Sequence, residues 1–186
     1  MSTPNALVLA RLKDEPGAEA RFFALFSGCP HVVLEDKGRI ETDLLKEYAQ
    51  KIRVRLFEAA DHSFFRKRHS TGRSARIMRD AIVDICLLNQ ADMVLAHLSE
   101  RFSPDRSSPA EYNEAVYSFS SELSAFLAGS GGLSMFCLKM GGEYHLFLAG
   151  NSATLAAGTL YDVIPTFLDL AGLSKPDEMK GTSLII

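Results

Sequence analysis

Residues 159–185, TLYDVIPTFLDLAGLSKPDEMKGTSLI, carry the densest run of structural signals in the chain. Pro165 suits the first turn of a helix, where a missing N–H costs nothing, and Gly172 suits the position just past its end. Between them Phe167, Leu168, Leu170 and Ala171 supply an apolar face, so a helix over roughly 161–171 is predicted to pack on a larger layer. The PTFLDLAGL stretch is therefore expected to be structural and not catalytic, with Phe167 and Leu170 buried.

Working outward, apolar runs of strand length stand at 6–12 (ALVLARL), 31–35 (HVVLE), 53–58 (RVRLFE), 92–98 (DMVLAHL), 133–139 (LSMFCLK) and 144–149 (YHLFLA). Helical spacing fills the intervals at 17–27, 40–51, 73–90 and 109–128. The last of these is the clearest, with Tyr112, Val116, Phe119, Leu123 and Phe126 on one face. Ser108, Pro109 and Glu111 mark its start, and Gly129 to Gly132 its end. Strands alternating with helices imply parallel pairing, because each return to the same edge needs a long crossover. The expected fold class is α/β, a three-layer sandwich with a mostly parallel central sheet, formed as a single domain over 1–186.

A chain of 186 residues with 47% hydrophobic composition is long enough for one sizeable core. The net charge of −3 provides no global basic field to hold nucleic acid or an anionic membrane, so neither is expected as a partner. Cys29, Cys86 and Cys137 are odd in number, widely spaced and set in apolar surroundings, which fits buried thiols in a reducing compartment. The opening MSTPNALVLARLKDEPG has no basic stretch before a short apolar run, so the protein is expected to be cytoplasmic.

From about residue 40 the order of segments resembles the alkaline phosphatase superfamily, in particular its sulfatase and cofactor-independent phosphoglycerate mutase branches. TDLLKEYAQKIRVRLFEA is similar to the helix and strand after the nucleophile region of those enzymes. ADMVLAHLS is similar to the strand before one group of metal ligands, and SPAEYNEAVYSFSSELSAFLA to the long helix that follows. YHLFLAGNSATLAAGTLYDVIPTFLDLAGLSKPDEMKGTSLI resembles the final strand, loop and closing helix with its GxSL tail.

The resemblance implies two divalent metal ions that polarise an ester and activate a hydroxyl nucleophile. At the place where the superfamily has Asp-His-Gly after the penultimate strand, this chain has LKMGGE, with Lys139 and Met140 at the ligand positions. An ammonium repels a cation and offers no lone pair. After AHLS, where an Asp and a His are expected, stands ERFSPDRSS, and the last histidine is missing unless Tyr144 and His145 take its role. No metal and no cofactor are therefore expected.

The densest polar stretch, DHSFFRKRHSTGRSARIMRD (61–80), holds the parts of an anion site: guanidinium groups, hydroxyls of Ser70 and Thr71, and a helix start. Arg66, Arg68, His69 and Arg73 are its candidate contacts; a solvated loop and exposed helix face is the plain alternative. A second resemblance joins IVDICLLNQADMVLAHLSERFS (82–103) to the nucleotide-sugar-binding segment of fucosyltransferases, which implies roles for Asp84 and Ser99. There Glu100 and Arg101 replace the expected polar residues. His62 beside Asp61 has the makings of an acid/base pair, whereas His31, His97 and His145 fall at strand positions suited to structural hydrogen bonds. The SGCP turn at Ser27 reads as a helix stop. No nucleophile elbow, P-loop or dinucleotide fingerprint is present in the sequence.

These readings converge on a reduced, metal-free relative of the superfamily that acts as a binding or interaction module for a phosphate- or sulfate-bearing ligand, with a protein partner or a second copy as further partners. The alternatives are a nucleotide-sugar transferase using Asp84, and a hydrolase whose site another chain completes.

Overall fold

The computed structural model describes residues 3–60, 71–98 and 108–186. Seven strands form one sheet: β1 Asn5–Arg11, β2 His31–Glu35, β3 Leu56–Ala60, β4 Met93–Leu98, β5 Ser134–Met140, β6 Glu143–Ala149 and β7 Gly158–Thr159. Their order is β3-β4-β1-β5-β6-β2-β7. All pairings are parallel except those of β6 with β5 and β2. The helices are α1 Ala18–Leu25, α2 Thr42–Lys51, α3 Thr71–Leu87, α4 Pro109–Gly129 and α5 Val163–Leu170, the last entered through a 3-10 turn over Leu160–Asp162.

Two apolar clusters lie on opposite faces of the sheet. Ala6, Val8, Val94, Ala96, Phe136, Leu138 and Phe147 pack with α1, α3 and α4 through Phe22, Met78, Ile82, Tyr112, Phe119 and Leu123. Leu7, Met93, Leu95, Met135, Cys137, Leu146 and Leu148 pack on the other side with α2 and α5 through Leu45, Ala49, Val163, Ile164 and Phe167. Strand residues alternate between the two clusters because successive side chains point to opposite faces. This makes the three-layer α/β sandwich expected from the sequence. Steps from β1 to β2, β3 to β4 and β4 to β5 cross the first face, and the single step back, β2 to β3, crosses the second. All four crossovers thus share one hand.

Three details depart from the sequence-based expectation. The third strand begins three residues late, because Arg53 takes a left-handed conformation (φ 59°) and Arg55 is clamped to Asp92 through its amide and guanidinium. β6 runs antiparallel because only Gly141 and Gly142, both with positive φ, join it to β5, which is a hairpin connection and too short for a crossover. The short β7 carries no apolar run that would have announced it.

The closing segment is held by polar contacts as well as apolar ones. The buried Asp162 carboxylate accepts hydrogen bonds from the Thr159 amide (2.7 Å), the Thr159 hydroxyl (3.2 Å) and the Thr182 amide (2.7 Å). Thr166, fully buried, donates to the Asp162 carbonyl (2.6 Å) and accepts from the Leu184 amide (3.0 Å). A side chain at Gly181 would collide with the Tyr161 backbone, so glycine is required there. Phe167 is buried and the left-handed Gly172 (φ 71°) ends α5, as the sequence predicted, whereas Leu170, expected to be buried, is only half-buried in the last position of the helix. Among the described residues no helix is long and apolar enough to cross a membrane.

Candidate functional site

In an open, mostly parallel sheet, ligands sit in the crevice beyond the carboxyl ends of the strands. At that edge β1 ends in Arg11 and β5 in Lys139 and Met140, and α1 begins beside them. Arg11 and Lys139 are register partners on neighbouring strands, and alternation sends both to the face of α2 and α5. The Lys139 ammonium lies 4.8 Å from the centre of the Tyr144 ring and 3.9 Å from Asp36, which follows β2. On the same face, Glu58 of β3 is 3.3 Å from Lys46 of α2 and 3.6 Å from His97 of β4. Burial opposes the Lys46 charge, but its bonds to Glu58 and Asp43 outweigh this and hold its pKa above the ordinary value.

The opposite face of the same edge is acidic. A hollow of about 350 Å³ is lined there by Lys13, Asp14, Glu15, Glu19, Met140 and Gly141. Its floor is fixed by Asn113 of α4, buried, which accepts from the Lys13 amide (2.9 Å) and donates to the Lys13 carbonyl (2.8 Å) and to Glu15 (3.0 Å). Sequence analysis missed Asn113: it stands on the apolar side of an amphipathic helix, and only the loop packed against it shows what it binds.

The donor set does not suit the two-metal centre implied by the resemblance. Lys139 presents an ammonium, and Met140 is buried in the core. The two-residue turn at Gly141–Gly142 leaves no loop to bring further ligands. His145 is turned to the α1 face, where its Nδ1 lies 2.9 Å from Nε2 of His31. Tyr144 points the other way and packs near the second cluster. Among the described residues no group of three or more His, Cys, Asp or Glu side chains is placed to hold a metal ion.

Of the residues singled out in the sequence, Asp61, His62, Arg66, Arg68, His69, Ser70, Ser99, Glu100 and Arg101 lie outside the described residues. Arg73 is exposed in the first turn of α3, at the carboxyl end of β3. Asp84 is exposed thirteen residues after the start of α3, about 20 Å along the axis at 1.5 Å per residue, towards the amino edge of the sheet and away from the crevice. The three thiols are free, and burial raises the pKa of each, to about 11 for Cys86 and about 12 for Cys137. None is set up as a nucleophile at neutral pH.

Similarity to known proteins follows the same geometry. The chain aligns with the lipoteichoic acid synthase LtaP from Listeria monocytogenes over 98% of its own length and 75% of that chain, with a TM-score of 0.62 and 10% identity. It aligns with Leishmania mexicana phosphoglycerate mutase, crystallised at low cobalt concentration, over 76% of its length and 39% of that chain, with a TM-score of 0.60 and 12% identity. The chain has the fold of the alkaline phosphatase superfamily. Short sequence matches agree with that fold. A stretch of 38 residues is 60% identical to a 2,3-bisphosphoglycerate-independent phosphoglycerate mutase of Desulforudis audaxviator, and one of 28 residues is 68% identical to its counterpart in Hydrogenovibrio crunogenus. These matches span only 7% and 5% of those enzymes. No protein-family model matches the chain.

Proposed function

We propose that this chain is a reduced alkaline-phosphatase-type domain that binds a phosphate- or sulfate-bearing ligand without metal ions, as a binding or interaction module and not a hydrolase. The observation that carries the proposal is the pair Arg11 and Lys139, side by side at the carboxyl ends of the two central strands, with Lys139 at a position where the superfamily resemblance implies a metal ligand. A two-metal enzyme presents positive charge to its ester through bound cations; here the positive charge belongs to the side chains. Guanidinium and ammonium groups are the donors suited to an oxyanion. Arg66, Arg68 and His69, from the segment between β3 and α3, and Arg73, in the first turn of α3, are proposed as further contacts.

The test is calorimetric titration of the chelator-treated protein with inorganic phosphate and with sulfate. Binding in the millimolar range or tighter is expected for the wild type, and an Arg11→Ala/Lys139→Ala double variant with an unchanged melting transition is expected to lose it. Equal binding by the variant, or no binding by the wild type, refutes the assignment.

A further inference from the structure

His31 and His145 do something the binding site does not use. They stand on adjacent strands, β2 and β6, with Nε2 of His31 and Nδ1 of His145 2.9 Å apart and the two rings nearly coplanar (11°). Phe23 of α1 sets its ring edge-on to both, at 5.6 Å and 5.2 Å, and Phe147 stacks on His31 at 4.5 Å. His31 reaches solvent while His145 is buried. The charged groups that face the pair are Glu143 at the start of β6, 3.7 Å from Nε2 of His145, and Glu19 on α1.

We propose that this pair is an acid-sensitive latch that fastens β2 and the end of α1 to β6. A hydrogen bond between two imidazoles needs one nitrogen with a proton and one with a free lone pair. The neutral pair satisfies this, and so does a pair carrying one extra proton on the outward nitrogen of His31. With both rings cationic, each facing nitrogen is a donor, and two positive charges lie within one hydrogen-bond length. The doubly protonated state therefore requires the rings to part. Burial lowers the pKa of both groups, and the neighbouring His145 lowers that of His31 further; the carboxylates of Glu143 and Glu19 only partly offset burial at His145.

The sign follows. An unfolded or opened segment takes up protons as pH falls below about 6.5, while the closed pair resists them, so closure weakens as pH falls. Each excluded proton shifts the balance towards the open form by up to about tenfold per pH unit. β2 is the part of the sheet that responds, because beyond it lies only the two-residue β7.

The experiment is amide hydrogen exchange of the whole chain at pH 7.5 and 5.5, corrected for intrinsic rates, on wild type and on His31→Phe, which keeps an aromatic ring over Phe147 and cannot titrate. In the wild type, protection of 31–35 and 143–149 is expected to fall about tenfold or more on acidification, and in His31→Phe this loss is expected to shrink to the part that the buried His145 alone contributes. The same pH dependence in both proteins, or none in the wild type, overturns the proposal. If His31→Phe does not fold, imidazole titration of the wild type by NMR decides. Both groups must titrate below about 6.5, and values at or above that overturn it.

Discussion

Replacing Asp162 by alanine tests how the closing segment is fastened. The carboxylate takes two backbone amides at 2.7 Å, from Thr159 and Thr182, and one hydroxyl at 3.2 Å. Without it the Thr159 hydroxyl can turn to water, but both amides lose their acceptor inside a half-buried joint. A hydrogen bond to a charged acceptor contributes about 1.5–3 kcal/mol, so two lost bonds come to about 3–6 kcal/mol before relaxation. Water reaching the partly exposed Thr159 and Thr182 brings the expected loss to the lower end, about 3 kcal/mol. In a chain of this size that shift lowers Tm by roughly 6–12 °C. It is to be read by thermal unfolding, beside a control Asp177→Ala at an exposed position, which should stay within about 0.5 kcal/mol of wild type. Limited proteolysis of Asp162→Ala should cut first in the freed tail, after Lys175 or Lys180. An Asp162→Ala protein that melts with the wild type and keeps its tail protected refutes the claim that this carboxylate ties the tail to α5.

Three further outcomes follow from the same structure. Phe167→Ala should cost ~3–5 kcal/mol by leaving a cavity in the apolar cluster it shares with Leu7, Leu45 and Leu146, seen as a lower urea midpoint at unchanged slope; an unaltered midpoint contradicts its burial. Gly142→Ala should destabilise the β5–β6 hairpin by about 1–2 kcal/mol, since φ 84° is left-handed and no neighbour compensates; a variant as stable as wild type removes the argument for that turn. The Arg55 guanidinium, bonded to Asp92, holds the Asp92 carboxyl below its usual value, so this clamp contributes in full above the ordinary value of 3.8 and is lost as pH falls through the folded value. Asp92→Asn should accordingly flatten the acid limb of the stability profile below pH of about 4, and an identical acid limb refutes the linkage.

Much of the fold is legible in the sequence because burial and periodicity coincide there. α4 begins at its Ser108 cap, whose hydroxyl accepts from the Glu111 amide (3.2 Å), and its apolar stripe is the buried face. α5 sits between Pro165 in its first turn and Gly172 beyond its end. The antiparallel β6 was signalled by the Gly141–Gly142 pair between two strand-like runs, a hairpin cue outweighed by the α/β alternation of the rest. The start of β3 was hidden because VRLFE is apolar enough on both sides of Arg55, and the strand's beginning is decided by Asp92, 37 residues away.

Less of the candidate site was legible. The sequence shows Lys139 and Met140 where the resemblance implies metal ligands, yet nothing local shows that Arg11 stands beside Lys139, because the register of β1 on β5 joins segments more than 120 residues apart. The same holds for His31 and His145, whose pairing depends on β2 crossing to the far side of β6. Asn113 and Asp162 were overlooked for a related reason. A buried polar side chain in an apolar run is silent until the backbone groups it satisfies are brought to it.

We propose that this fold uses its own cationic side chains where relatives of the same fold would use metal ions. Elemental analysis of the purified protein, after dialysis against buffer containing zinc, manganese and cobalt and then against metal-free buffer, tests it most directly. No stoichiometric metal is expected. About two tightly held metal ions per chain, the number a two-metal phosphoryl-transfer site requires, would contradict it.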